Sequence, residues 1–166
     1  MKKLILLGMV VAIFTACQQT EPQRWFRNSA ETDVTKALLK DYQSGNWTSW
    51  LSHYSDTAKV FHNTTQGVSP QKQQEALRQT IQNLNAYQFN ENETYIEMVL
   101  DDNNETWVYF WSTWEATVTG TNAELIVPVH LALQFVDNKI VREYGFYDTS
   151  SIMLALTEKE AAEMAE

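Results

Sequence analysis

From Thr94 onward the chain is a near-continuous series of strand-forming runs, and that series limits the possible folds more than any other feature. The runs are Thr94–Leu100, Thr106–Thr119, Ala123–Val136 and Lys139–Asp148, all rich in β-branched and aromatic residues. Between them lie Asp101-Asp102-Asn103-Asn104, Gly120-Thr121 and Asp137-Asn138, which carry tight-turn chemistry. Strands joined by such short turns run antiparallel, so the second half of the chain is a meander. The first half has a helical texture. Residues 29–44 read as a helix capped by Ser29 or Thr32, with Val34, Ala37, Leu38 and Tyr42 along one stripe and Gly45 as its stop. Asn46 caps a second, short helix that places Trp47, Trp50, Leu51 and Tyr54 at i, i+3, i+4 and i+7. Ala58–Asn63 is a short strand. Ser69-Pro70 opens a third helix expected to run to about Tyr87, with Leu77, Ile81 and Leu84 inward. Helices followed by an antiparallel meander make an α+β domain with the helices on one face of the sheet. Ser150–Leu156 returns as a short helix, and Thr157-Glu158-Lys159-Glu160 has the form of a capping box for an acidic tail.

The beginning of the chain belongs to a different class of segment. Lys2 and Lys3 precede an apolar run of eleven residues, Leu4–Phe14. A membrane span takes roughly 20 apolar residues, so this run has the dimensions of a cleaved secretory signal. Thr15 and Ala16, directly before the only cysteine, resemble a lipobox, with Phe14 where leucine is usual. The expected organisation is a lipoprotein signal peptide over residues 1–16, a lipid-anchored Cys17 with a polar tether over 17–28, a domain over 29–156 and an acidic tail over 157–166. Lipid on Cys17 would hold the protein at a membrane without a spanning helix. Gln18 resembles the second residue of lipoproteins sent to the outer membrane, facing the periplasm. A lone cysteine has no disulfide partner within the chain.

Losing the leader removes two lysines and no acid, so the formal charge moves from −9 to −11. An acidic surface of this kind repels nucleic acid, which is excluded as a partner. The chain has six Trp, seven Tyr and seven Phe. So many aromatics in one domain must fill a core, line a pocket or build an interface.

Two stretches carry a family likeness. Tyr42-Gln43-Ser44-Gly45-Asn46-Trp47, followed by Trp50 and then Tyr54-Ser55-Asp56-Thr57-Ala58, resembles the opening of SnoaL-like domains. Phe135-Val136-Asp137-Asn138-Lys139-Ile140-Val141, followed by Phe146-Tyr147-Asp148, is similar to their final hairpin, with Asn138 where a glycine is usual. The resemblance covers roughly residues 30–156 and implies the nuclear-transport-factor-2-like superfamily. It implies a cone: a strongly bent antiparallel sheet wrapped around N-terminal helices, with a pocket at the wide end. It also implies acid–base chemistry or simple binding in that pocket, and commonly a homodimer.

Turn lengths set register, and register sets which face a side chain takes. Two-residue turns at Asp137-Asn138 and Gly120-Thr121 pair Phe135 with Ile140, Leu131 with Tyr144, Val129 with Phe146, Val127 with Asp148, Trp114 with Val127 and Phe110 with Leu131. The pocket-facing set is then Phe110, Ser112, Trp114, Val127, Val129, Leu131, Tyr144, Phe146 and Asp148. Tyr109, Trp111, Pro128, His130, Gly145 and Tyr147 fall on the other face. Asp148, the one carboxylate on an apolar wall, is either the cap of the following helix or an acid–base group with its pKa raised by desolvation. By the resemblance it matches the aspartate that does such work in SnoaL-like cyclases. Tyr54 and His62 are its candidate hydrogen-bonding partners, and His53 is a solvated histidine beside Tyr54. The aromatics Trp107, Tyr109 and Trp111 would form a convex face buried against a second copy.

No HxH, HxxxH or cysteine pair is present, no glycine-rich phosphate loop, and no serine in a nucleophile-elbow context. No metal or cofactor is expected. The sequence leaves three readings: a membrane-anchored domain binding a small, partly apolar molecule; a metal-independent acid–base enzyme of isomerase, cyclase or dehydratase type using Asp148; and a non-catalytic dimerisation scaffold. The ligand-binding set would be Tyr54, His62, Phe110, Trp114, Val129, Tyr144 and Phe146.

Overall fold

The computed structural model describes residues 22–164. The expected signal peptide and the expected lipidation site, Cys17, lie outside the described residues. In chain order the elements are β1 (Trp25–Phe26), α1 (Ala30–Ser44), α2 (Trp47–Ser52), β2 (Tyr54–His62), α3 (Pro70–Ile81) and β3 (Leu84–Phe89). After a 3-10 turn at Glu91–Glu93 come β4 (Tyr95–Leu100), β5 (Thr106–Val118), β6 (Glu124–Val136), β7 (Lys139–Tyr147) and α4 (Ser150–Glu163). β1 falls within the stretch expected to be tether, where Trp25 and Phe26 pair with Val99 and Met98. Instead of a short helix and a separate tail, α4 runs unbroken to Glu163.

Local chemistry accounts for the helix limits. Ser29 caps α1 in a reciprocal box with Thr32, and Gly45 closes it at a φ of 68°. Asn46 caps α2, and Ser69 caps α3 with Pro70 in its first turn. The third helix ends at Ile81, short of the expected Tyr87. Leu84 keeps the helical spacing of Leu77 and Ile81, but Tyr87 and Phe89 alternate around Gln88. That segment pairs with the second half of β5 as strand β3, putting Tyr87 and Phe89 against the core.

The sheet has the order β1-β4-β5-β6-β7-β2, with β3 beside the far half of β5. It is mixed, because β2 runs parallel to β7. The strongly bent, wholly antiparallel cone expected from the sequence is therefore not the architecture, and the sheet is not strongly curled. Tight turns impose antiparallel pairing only on strands adjacent in sequence, and β2 arrives from the far side of the chain, free to take either direction. β5 and β6 pair over twelve consecutive residue pairs, from Thr106↔Phe135 to Thr117↔Glu124, without a bulge. Sharp curvature needs bulges or glycine kinks, and this central pair has neither.

The turn at Gly120-Thr121 sets the predicted register, with Trp114 opposite Val127 and Phe110 opposite Leu131. The turn at Asp137-Asn138 has both residues at positive φ, 50° and 59°, and pairs Phe135 with Ile140 as expected. One step later the ladder slips. Gln134 pairs with Arg142, so Val141 is an extra residue on β7. Beyond it every β7 side chain changes face: Leu133 meets Glu143, Leu131 meets Gly145, Ala132 meets Tyr144, His130 meets Phe146 and Val129 meets Tyr147. The predicted pairings Leu131–Tyr144, Val129–Phe146 and Val127–Asp148 are corrected accordingly. Tyr144 and Phe146 lie on the outer face, and Glu143 and Tyr147 on the inner one.

The inner face holds the core, where Val108, Phe110, Val118, Leu133, Ile140 and Val60 are fully buried. α1 to α4 cover this face. The outer face carries a ladder of rings: Trp111 stacks on His130 at 4.4 Å, His130 on Phe146 at 6.0 Å and Phe146 on Tyr144 at 6.5 Å.

Candidate active site

Parallel pairing of β2 with β7 sets Val60 beside Glu143 and His62 beside Gly145. His62, the last residue of β2, thereby reaches a carboxylate 81 residues further along the chain. Its Nε2 lies 2.7 Å from Glu143 Oε1, and Tyr54, the first residue of β2, donates its hydroxyl to Glu143 Oε2 at 2.5 Å. The other ring nitrogen, Nδ1, lies 3.0 Å from the Tyr147 hydroxyl and 2.9 Å from the Gln73 amide on α3. With the Tyr147 hydroxyl donating to Nδ1, the proton of the neutral ring sits on Nε2 and is donated to Glu143. The side chain of Glu143 is 3 % exposed and that of His62 is 11 % exposed. Glu143 is buried and His62 half-buried, and the polar atoms of both are hydrogen-bonded, as groups removed from water must be.

Gly145 makes this arrangement possible. A Cβ there would stand 2.5 Å from His62 Cδ2 and 2.8 Å from Nε2, inside any van der Waals contact. The imidazole lies directly over the β7 backbone.

Tyr54, His62, Glu143 and Tyr147 line a cavity of about 340 Å³ between the inner sheet face and the helices. Its other walls are largely apolar: Leu38 and Leu39 of α1, Leu77 of α3, Phe89, Val127 and Leu131 from the sheet, and Ile152 and Leu156 of α4. No lysine or arginine lines it among the described residues. Burial pushes the Tyr147 phenol up to about 12, with the nearby Glu143 carboxylate adding to the shift. Burial, then the charge of Glu143 and the bond to it, holds the Tyr54 phenol well above its ordinary value. Both remain neutral donors over the physiological range.

Of the residues singled out in the sequence, Tyr54, His62, Trp114 and Val129 line the cavity. Phe110 is fully buried on the inner face, packed edge-on against Phe89 rather than on the cavity surface. Tyr144 and Phe146 are on the outer face, with Phe146 54 % exposed. Asp148 is exposed and accepts the Ser150 N–H at 2.8 Å, and its carboxyl is held below the usual range by its hydrogen bonds with Ser150. That is the geometry of a carboxylate at a helix start. Sequence reasoning passed over Glu143, Tyr147 and Gln73. The only available signal was a lone glutamate in an aromatic strand, two residues before a glycine. His53 bonds to Asp41 at 2.7 Å, tying the end of α2 to α1 away from the cavity. Among the described residues no three His, Cys, Asp or Glu side chains converge as metal ligands.

No family model and no curated protein matches the chain by sequence. Solved structures do match by shape. AclR of Streptomyces galilaeus, described as a candidate hydroxylase, superposes with a TM-score of 0.63 at 16 % identity, over 77 % of this chain and 96 % of its own. PrhC of Penicillium brasilianum gives 0.61 at 15 % identity, over 82 % and 91 %. A candidate SnoaL-like polyketide cyclase of Shewanella denitrificans gives 0.59 at 10 % identity, over 79 % and 99 %. Identities this low speak for fold alone, and with the mixed sheet, the helices on its inner face and the cavity between them they show that the chain has the SnoaL-like, nuclear-transport-factor-2-like fold.

Proposed function

We propose that the domain is a metal-independent acid–base enzyme that takes a small, largely apolar molecule into this cavity and moves a proton on it, as an isomerase, cyclase or dehydratase does. One observation carries the reading: a His62–Glu143 pair flanked by two phenols in the wall of a largely apolar cavity. Simple apolar binding needs no such group, and a polar pair taken out of water is a poor device for stability compared with hydrocarbon of the same volume. Glu143 takes the role expected of Asp148. The Shewanella neighbour's description as a candidate cyclase agrees with this class.

The proton path follows from the hydrogen bonds. A proton leaving the substrate passes to the Tyr147 oxygen as the Tyr147 proton moves to His62 Nδ1. The ring becomes imidazolium, stabilised by the Glu143 carboxylate at 2.7 Å. The new Nδ1–H donates to the Tyr147 oxygen. Reversal of the same steps returns the proton to another atom of the substrate. Tyr54 holds the second carboxylate oxygen and fixes the rotamer of Glu143.

The test is hydrogen–deuterium exchange at the activated carbon of a panel of small neutral ketones in D2O, followed by NMR. The wild type is expected to accelerate exchange for at least one member. His62→Gln is expected to lose about 10²–10⁴-fold of that acceleration while keeping its fold by circular dichroism. Equal exchange by both proteins across the panel sinks the reading.

Membrane attachment through lipid on Cys17 is a separate proposal, supported by the sequence of residues 1–17. Cys17→Ala should release the protein from the membrane fraction or leave the precursor unprocessed. A processed variant that still sediments with membranes is the contrary result.

A further inference from the structure

We infer that the cavity holds a fully alkylated ammonium group against Tyr42, Phe89 and Trp114, so that the substrate is a mostly hydrocarbon organic cation of one or two rings. The inference deepens the acid–base reading of the same cavity and rests on it for the claim that the bound cation reacts. Six side chains of the lining are aromatic, Tyr42, Trp50, Tyr54, Phe89, Trp114 and Tyr147. They come from both the helices and the sheet, so a ligand is enclosed by rings rather than seated on one. Tyr42 and Phe89 approach to 5.7 Å at 42°, Trp50 and Tyr54 to 4.7 Å at 45°, and Trp114 is the ladder neighbour of Phe89. Neither pair is stacked, so neither covers its own ring faces. The Trp114 Nε1 is sealed from the cavity and lies against the Tyr42 hydroxyl, so the indole offers ring carbon to a ligand. The face of an aromatic ring carries negative charge density and attracts a cation, most strongly where water is excluded.

Charge in the lining selects the sign of the ligand. Among the described residues no lysine or arginine lines the cavity, and its one acid is Glu143. That carboxylate is felt by its surroundings: after burial, its charge is the next cause that pushes up the phenols of Tyr54 and Tyr147. The same field repels an anion and attracts a cation across a space without water. Hydrogen-bonding capacity selects the kind of cation. Both oxygens of Glu143 are already taken, by Tyr54 and His62, which leaves the N–H groups of a primary ammonium short of acceptors. No three acidic or histidine side chains converge among the described residues to replace the water shell of a metal ion. A quaternary nitrogen has no N–H to satisfy, and its methyl groups pack as hydrocarbon does. The sheet sets the separation of cage and proton relay. Trp114 sits two strands across and one inner-face row along from Tyr147, which puts their backbones roughly 12 Å apart. That distance keeps the positive nitrogen away from the His62 ring, which must itself become positive. A cavity of about 340 Å³ is near the small end of the roughly 300–1,000 Å³ usual for ligand sites, so one or two rings fill it.

The probes are (4-acetylphenyl)trimethylammonium and 4-tert-butylacetophenone, which share one shape and differ by a charged nitrogen in place of a carbon. Both are titrated into the whole protein by calorimetry. Wild type is expected to bind the cation about tenfold more tightly. The preference should persist in about 0.5 M salt, where attachment to an acidic surface is screened. The trimethylammonium proton signal should move upfield on binding, as protons above ring faces do. Trp114→Leu and Phe89→Leu should each cut the preference about threefold or more and leave the affinity for the neutral ketone near that of wild type. If one variant does not fold the other decides, and if neither folds the proton signal in wild type does. Equal affinities in wild type, a preference for the neutral ketone, a preference lost in salt, an unshifted proton signal, a preference untouched in the folded variants, or failure to bind either probe overturns the cage. Exchange of the acetyl protons in D2O separates the two claims. His62→Gln should keep the cation preference while losing exchange. Exchange in wild type with no cation preference would sink the cage and spare the acid–base reading. A cation preference with no exchange of either probe does the reverse.

Discussion

Gly145→Ala is expected to lower stability by about 1–3 kcal/mol and proton-transfer activity by about 10²-fold or more. The added methyl group would stand 2.5 Å from His62 Cδ2, and one of the two must move. The imidazole cannot swing away freely, because Glu143, Tyr147 and Gln73 hold both of its nitrogens. Any displacement of the ring lengthens bonds on which the relay depends. Denaturant unfolding measures the first effect, and ketone exchange with His62 ring signals in the NMR spectrum measures the second. Gly67→Ala is the matched control. Its Cβ would meet the Phe61 ring at 2.5 Å, an equally close approach, but Phe61 stacks on Tyr144 at the outer face. That variant should lose stability and keep its exchange rate per folded molecule. If Gly145→Ala behaves like the control, the glycine is a packing residue and does not position His62.

Stability should also fall steeply above pH 10. Tyr147 has its folded pKa pushed up from 10.0 to about 12, and Tyr42 and Tyr54 are raised further, all three chiefly by burial. A phenol with a raised folded pKa keeps its proton in the native state after the unfolded chain has released it. The unfolded state then binds fewer protons, so stability falls as pH rises. The contribution is fully present below the unfolded value of 10 and is lost through the window up to the folded value. For Tyr147 the rise to about 12 corresponds to about 3 kcal/mol. While all three folded phenols stay protonated, the combined slope approaches about 4 kcal/mol per pH unit. Total stabilities of single domains are roughly 5–15 kcal/mol, so unfolding should occur within a few pH units of the onset. Urea unfolding at a series of alkaline pH values, with tyrosinate absorbance as the titration signal, gives the slope. Tyr147→Phe should remove about a third of it. A flat profile between pH 10 and 12 would mean that these hydroxyls reach solvent.

Much of this fold is written in short-range signals. Gly120-Thr121 and Asp137-Asn138 set two turns, and the first aligned all of β5 with β6 because nothing interrupts that ladder. The caps Ser29, Asn46 and Ser69 mark three helix starts. The bulge at Val141 had no such mark. It lies within Ile140-Val141-Arg142, with neither glycine nor proline, and is set by how β7 seats against β2 and β6 rather than by local preference. Since side chains alternate with a period of two, that one residue moved Tyr144 and Phe146 outward and brought Glu143 and Tyr147 in. β3 was hidden for a related reason, since Leu84 continues a helical spacing that tertiary pairing with β5 overrides. Tyr54 was legible from its place at the end of an aromatic helical stripe and His62 from its place near the end of a short strand before a polar loop. Their shared carboxylate is 89 and 81 residues away in sequence, and only the parallel pairing connects them.

That pairing places the chemistry on the seam that closes last and opens first. β2 is the terminal strand of the sheet order, with one bonded neighbour and a break in register between Tyr54 and Lys59. Contacts separated by some eighty residues carry a large loop-closure cost and form late, while edge elements head the order of local opening. The proton relay should therefore disappear in partly opened states in which the long β5–β6 ladder still stands, so catalytic competence would report on the docking of β2 rather than on the folding of the whole sheet. Amide protection would show it as early exchange at Asn63, whose N–H bonds to Gly145 of β7, well before the interior of β5 yields.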